Sequence, residues 1–291
     1  MLDVVFAVLS AFTMAVGVVL IRRSLTSSNF FSSVVVITLF GNIVYWSILL
    51  LLNPRSQFNL HGIIFFALAG FIHPGLARIL YHIGVLRVGV STNASIVATN
   101  PLFGTLFAVL LLNEEPTLTL WLGIASVVAG AAIIQTSMHN EGIMKGKKAT
   151  LLISASASLT AGLGFVLRKM GLNFYDEPIA GAAIVSFAGL ILHALIFTIS
   201  PKIRAVAPMN LRTFKLFWKG GLCVTIGTLI MFYAFQCGSI SVVTPLMQTE
   251  PLFILLLTYL YLRRVEALSK KLVLGTLSIV VGIILVTAFK G

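Results

Sequence analysis

Ten long apolar runs, joined by short polar connections, account for almost the whole chain. They fall near 3–21, 31–52, 61–84, 91–112, 118–136, 150–168, 178–199, 216–236, 241–262 and 270–289. Each approaches the roughly 20 residues that a helix needs to cross a bilayer. The pattern predicts an all-α polytopic membrane protein of ten transmembrane helices, with no room in the connections for a soluble domain. Asp3 is the only charge before Arg22, and no small-residue cleavage site follows the first run. That run is therefore expected to stay as the first helix and not to act as a cleaved signal.

The polar positions inside these runs repeat. Thr99-Asn100-Pro101-Leu102-Phe103 returns as Thr249-Glu250-Pro251-Leu252-Phe253, 150 residues later with four of five residues identical. Glu114, Gly123, Ser126 and Gly130 return as Glu266, Gly275, Ser278 and Gly282, each 152 residues on, and Ser91 returns as Ser241. The chain divides into a five-helix repeat over 1–136, a polar loop over 137–149 and a second five-helix repeat over 150–291. Five is odd, so the second repeat must enter the membrane in the opposite sense. The repeats are expected to be inverted about an axis in the membrane plane, with a site near mid-membrane on interrupted helices.

Composition narrows the function. Hydrophobic residues make up 58% of the chain and charged residues 10%, against roughly 25% charged in soluble domains. The net charge of +12 does not indicate nucleic acid, because the charges lie in scattered short loops and phosphate binding needs a contiguous basic surface. Loops after odd-numbered helices hold fifteen of the twenty basic residues, and the even loops and tails hold four, Arg168 and Lys169 among them. By the positive-inside rule this favours termini outside the cytoplasm. Arg212, Lys215 and Lys219 beside Trp218 read as an interfacial segment leading into the eighth helix. Cys223 and Cys237 lie fourteen apart on that helix, about 21 Å. A disulfide requires Cα atoms within roughly 7 Å. There is no metal-ligand spacing, cofactor motif, Walker A sequence or catalytic Ser or His motif.

Breaks and charges mark the candidate site. Pro74, Pro101, Pro245 and Pro251 are expected to break helices three, four and nine, with Pro101 and Pro251 freeing the carbonyls of Val97 and Met247. Such carbonyls need a partner in lipid. Glu250 is the one mid-span acid and Arg78 the one mid-span base, and intramembrane charges usually face the bundle interior and carry a task. Glu250 could hold a proton or a cationic group. Arg78, sharing a helix face with Pro74 and His82, could pair with Glu250 or bind a substrate carboxylate, for which a guanidinium is well shaped. Tyr81, His82, Asn93, Asn100, Tyr233, Gln236, Thr244 and Gln248 complete the predicted polar lining, from helices three, four, eight and nine. Phe103, Phe232 and Phe253 could wall it. Helices five and ten, with small residues four apart, read as packing elements.

The proline motif, the glutamate after it and the glycine-bearing helix that follows, present twice, make the chain resemble the drug/metabolite transporter superfamily, in particular its EamA-type ten-helix proteins. The end of helix three, Tyr81 to Leu86 ahead of Gly89 and Ser91, resembles that family as well. The resemblance covers essentially the whole chain. It implies transport of small metabolites, often export, without ATP hydrolysis. The expected location is the inner or plasma membrane, and the expected state a monomer or homodimer. It also implies cytoplasmic termini, against the loop charges. Amino acids or related amphipathic metabolites are the expected substrates. Organic cations or drugs come next, a non-transporting receptor or scaffold after them, and an intramembrane enzyme is disfavoured for want of an acid–base set.

Overall fold

A computed structural model describes residues 1–25, 28–52, 59–88, 90–137, 148–201, 203, 207, 209–262 and 270–288. Its regular structure is entirely helical. Thirteen segments and one irregular turn form ten membrane helices. The first repeat holds α1 (Leu2–Leu25), α2 (Phe30–Leu52), α3 (Leu60–Gly70), a π-type turn (Phe71–Leu76), α4 (Ala77–Val88), α5 (Val90–Val97), α6 (Asn100–Leu112) and α7 (Leu118–Ser137). The second holds α8 (Lys148–Phe174), α9 (Pro178–Ile199), α10 (Leu211–Cys237), α11 (Ile240–Met247), α12 (Glu250–Leu262) and α13 (Lys270–Ala288). The third span is α3, the turn and α4; the fourth is α5 with α6; the ninth is α11 with α12. Among the described residues nine helices are long and apolar enough to cross a bilayer, and Val273–Ala288 is a shorter apolar one.

The helix contacts obey the repeat. The first span packs on the eighth (α1 on α10), and the third packs on the sixth (α3 and α4 on α8). Exchanging the halves turns one pair into the other. The second span packs on the eighth and the seventh on the third, again partners under exchange, while the second and seventh also meet each other. The fourth packs against the sixth and the ninth against the first.

Helices α7 and α13 show that the relation is an inversion. Ser278 Oγ donates to the Ser126 carbonyl at 2.7 Å, and the two hydroxyls lie 3.5 Å apart. On either side, Gly123 faces Gly282 and Gly130 faces Gly275. Numbers rise along one helix as they fall along the other, so equivalent helices run antiparallel and equivalent serines meet on the axis. A Cβ on Gly130 would stand 2.6 Å from the Gly275 carbonyl oxygen, which is why small residues are needed here. The first and eighth spans cross antiparallel too: Ser10 Oγ donates to Gly227 O and Ser24 Oγ to Leu216 O, each at 2.8 Å.

Two expectations are corrected. The sixth span does not end at 168 with Arg168 and Lys169 in a loop. Helix α8 continues to Phe174, because Arg168 finds partners inside the bundle and is 1% exposed. Pro245 is not a break either: α11 runs through it from Ile240 to Met247, and the interruption falls at Gln248 and Thr249. The 137–149 loop, apart from its ends, and Glu266 lie outside the described residues. Both cysteines sit on α10 as free thiols.

Gly130→Leu should drive α13 away from α7, an overpacking cost of about 1–3 kcal/mol. Thermal unfolding of the purified protein in detergent should show a clear drop in Tm, and an unchanged Tm would contradict the crossing described above.

Candidate substrate site at the crossing of the broken helices

The fourth and ninth spans break at the same repeat position. Thr99 N–H bonds back to Ile96 O and Thr249 N–H to Leu246 O, both at 3.1 Å, closing a tight turn in each. New helices then begin at Asn100 and Glu250. Pro101 and Pro251 fall in the first turn of these helices, where a missing N–H goes unnoticed and the ring presets φ. They therefore start helices where the sequence reading expected them to kink one.

The carbonyls at the breaks find polar partners, as lipid requires. Ser158 Oγ on α8 reaches Val97 O at 3.4 Å and lies 2.9 Å from Thr99 Oγ1. Gln248 Nε2 donates to Ala98 O and to Asn100 Oδ1, each at 3.1 Å. Ala98 and Gln248 are repeat equivalents, so the breaks touch on the same axis that passes between Ser126 and Ser278. Two helix N-termini, each carrying a partial positive charge, start beside this crossing, with Asn100 on one and Glu250 on the other.

The third span is interrupted differently. His73 leaves helical geometry (φ −148°, ψ 115°) and its peptide to Pro74 is cis. The His73 carbonyl turns toward α8, where it accepts from Arg168 Nη2. The same nitrogen lies 2.9 Å from His73 Nδ1. Phe165 and Phe232 flank the guanidinium at 5.6 and 5.9 Å. One helical turn past Pro74, Arg78 lies within electrostatic reach of Arg168, His73, His193 and Tyr45. Tyr45 is held by a 2.7 Å bond from its hydroxyl to Thr225 O. Met1 pairs with Asp3. The expected direct pair between Arg78 and Glu250 is not formed.

The other predicted residues disperse. Tyr81 lies within electrostatic reach of Glu250, and its carbonyl accepts from buried Asn93 at 3.1 Å. His82 stacks on Phe30 at 4.8 Å with near-parallel rings. Thr244 is buried and its hydroxyl returns to Ile240 O at 2.8 Å. Gln236 bonds Asp176 at 2.7 Å near the end of α10, and Tyr233 packs toward Phe6 at 6.0 Å. Neither joins the central group. Phe232 does wall Arg168, but Phe253 sits edge-on to Phe12 at 5.3 Å. Phe103 lines a groove of about 380 Å³ with Thr99, Leu102, Leu106 and Trp121. The sequence reading missed Arg168 and Tyr45, on the sixth and second spans. The available signal was the unbroken stretch from Arg168 to Phe174, ahead of Asp176-Glu177-Pro178.

The model of the EamA-like transporter family matches residues 1–136 and 148–288. The chain belongs to the EamA-like transporter family. It is thus a multi-pass membrane protein of a family of transporters and not of enzymes. An uncharacterised protein of Methanocaldococcus jannaschii is 29% identical over 111 residues, covering 38% of this chain and 77% of that one. That relative is therefore about half as long, the size of one five-helix repeat. A solved crystal structure superposes with a TM-score of 0.77 at 16% identity, over 98% of this chain and 96% of the other. At that identity the likeness is one of fold.

In this EamA-family chain, Gln248 and Asn100 should be energetically coupled. Gln248→Ala and Asn100→Ala, singly and together, should depart from additivity by at least about 0.5 kcal/mol in thermal unfolding. Strict additivity would mean that the breaks do not support each other.

Proposed function

We propose that this protein is a secondary transporter that moves small metabolites bearing a carboxylate, amino acids first, by alternating access between the inverted repeats. The observation that carries this reading is a pair of unspent charges. Arg78 and Glu250 both lie mid-span with part of their surface accessible. Among the described residues neither makes a hydrogen bond or an ion pair. A charge held at bilayer depth without a partner is costly, and a zwitterionic guest would meet both needs at once. Arg78 would take the carboxylate, and Glu250, at the start of α12, the amine. Two guanidiniums near the centre weigh against organic cations. The substrate would be the partner inside a bilayer-embedded protein of the inner or plasma membrane, with energy from a gradient.

Polar contacts close one membrane face. Glu114, just past the end of α6, accepts from Ile240 N–H at 2.8 Å with one oxygen. With the other it accepts from Ser241 N–H at 3.0 Å and Ser241 Oγ at 2.6 Å. It caps the bare N-terminus of α11 from the opposite repeat. On the same face Lys169 Nζ donates to Phe235 O at 2.6 Å, and Gln236 bonds Asp176. Release of this clasp would open that face.

Proteoliposomes containing the protein should take up a labelled amino acid against an unlabelled internal pool. Arg78→Gln should lower that exchange at least about tenfold, with the protein still monodisperse. Exchange of no amino acid by the unaltered protein would overturn the reading, and binding without exchange would favour a receptor. Glu114→Ala should raise amide hydrogen exchange across 239–243 and slow the flux; unchanged protection there would remove the clasp from the mechanism.

A further inference from the structure

Arg168 is a large, fully enclosed side chain that the carboxylate-binding role of Arg78 leaves unused. It sits inside α8, 1% exposed, and its charge has no acid within pairing distance among the described residues. One nitrogen, Nη2, is fixed by the carbonyl and ring of His73. The other two, Nε and Nη1, are buried and make no hydrogen bond. Buried polar atoms are almost always satisfied, and a buried charge left partly unbonded costs more than a neutral group.

The surroundings sharpen the problem. Arg78 lies close enough that the two like charges act on one another. Tyr45 feels both guanidiniums and donates its hydroxyl proton to Thr225 O. The histidines facing the pair, His73 and His193, add no negative charge. Glu250 faces Tyr81 and not the arginines. Aromatic faces of Phe165 and Phe232 offer partial compensation, but no aromatic ring can satisfy unmade N–H bonds. The third span is bent at His73 in a way that holds Arg168 in place without consuming it. The corresponding eighth span, α10, runs unbroken from Leu211 to Cys237, so this fixture belongs to one repeat only.

We infer that Arg168 is a second anion-binding residue, and that the site takes metabolites carrying two negative charges, one met by Arg78 and one by Arg168. Acidic amino acids are the form this takes within the transport reading proposed above, on which the inference rests: both carboxylates lie against the arginine pair and the amine against Glu250. A doubly charged guest separates the two guanidiniums electrostatically and supplies the missing acceptors. A neutral amino acid leaves Arg168 as it is.

L-Aspartate and L-asparagine are nearly isosteric and differ by one charge, so they isolate the claim. Saturable ligand stabilisation of the purified full-length protein reads their affinities, since a ligand that binds only the folded state raises apparent stability. The unaltered protein should bind L-aspartate at least about tenfold more tightly than L-asparagine. Arg168→Gln should bring the ratio of the two affinities to about one. Arg168→Lys, which keeps the charge in a smaller volume, should retain part of it. Equal affinity for the two amino acids in the unaltered protein overturns the inference without any variant. A preference that survives in Arg168→Gln also overturns it. If L-aspartate does not bind but neutral amino acids exchange in proteoliposomes, the inference falls and the transport reading stands. Succinate, which lacks the amine, should bind more weakly than L-aspartate, and equal binding would remove Glu250 from the site.

Discussion

A backbone cannot be left unbonded in hydrocarbon, and the centre of this protein is organised by that constraint. Each unsatisfied group in the bilayer core costs several kcal/mol. The fourth and ninth spans are nevertheless interrupted at mid-membrane. They are tolerated because each break lies against the other, with Gln248 bonding Ala98 and Asn100 across the axis and Ser158 reaching Val97 from α8. The interruption and the inverted duplication are therefore one device. A single broken helix would have no partner of matching shape, whereas its inverted copy arrives in register at the same depth.

The electrostatics follow from the same geometry. Breaking helices at the centre brings two N-termini there, and breaking the third span at His73 frees a carbonyl to hold Arg168. Charges that lipid would exclude are thus kept inside the bundle, next to helix ends and aromatic rings. The arginines are clustered on one side, with Glu250 apart beside Tyr81. The proposed zwitterionic guest rests on this separation of sign.

Inversion also relates centre and periphery. Helices α7 and α13 cross at Ser126 and Ser278 with glycines on both sides, a close antiparallel contact lying on the axis. The Glu114 clasp lies far from the axis, at one membrane face. In the proposed alternating access, the contact on the axis looks the same from both repeats and can stay intact, while the Glu114 clasp must release.

Much of the architecture was legible in the sequence, since run length, run number and repeat parity are local or countable properties. Ten apolar stretches state the spans, and an odd number per repeat forces the inversion before any contact is known. The breaks at Pro101 and Pro251 could be read from their recurrence. Pro245 could not be told from them, because whether a proline interrupts a helix depends on whether the bonds it forfeits are needed. Arg168 was hidden for a related reason. A basic pair at the end of an apolar run reads as a loop, and only the bend at His73 on another span, with Phe165 and Phe232 closing around it, makes burial tolerable there. Tyr233 and Gln236 show the converse: polar side chains on a right span that bond or pack elsewhere. Hydrophobicity along one dimension decides what enters the membrane, while the close glycine and serine contacts between non-consecutive helices decide which side chains meet once inside.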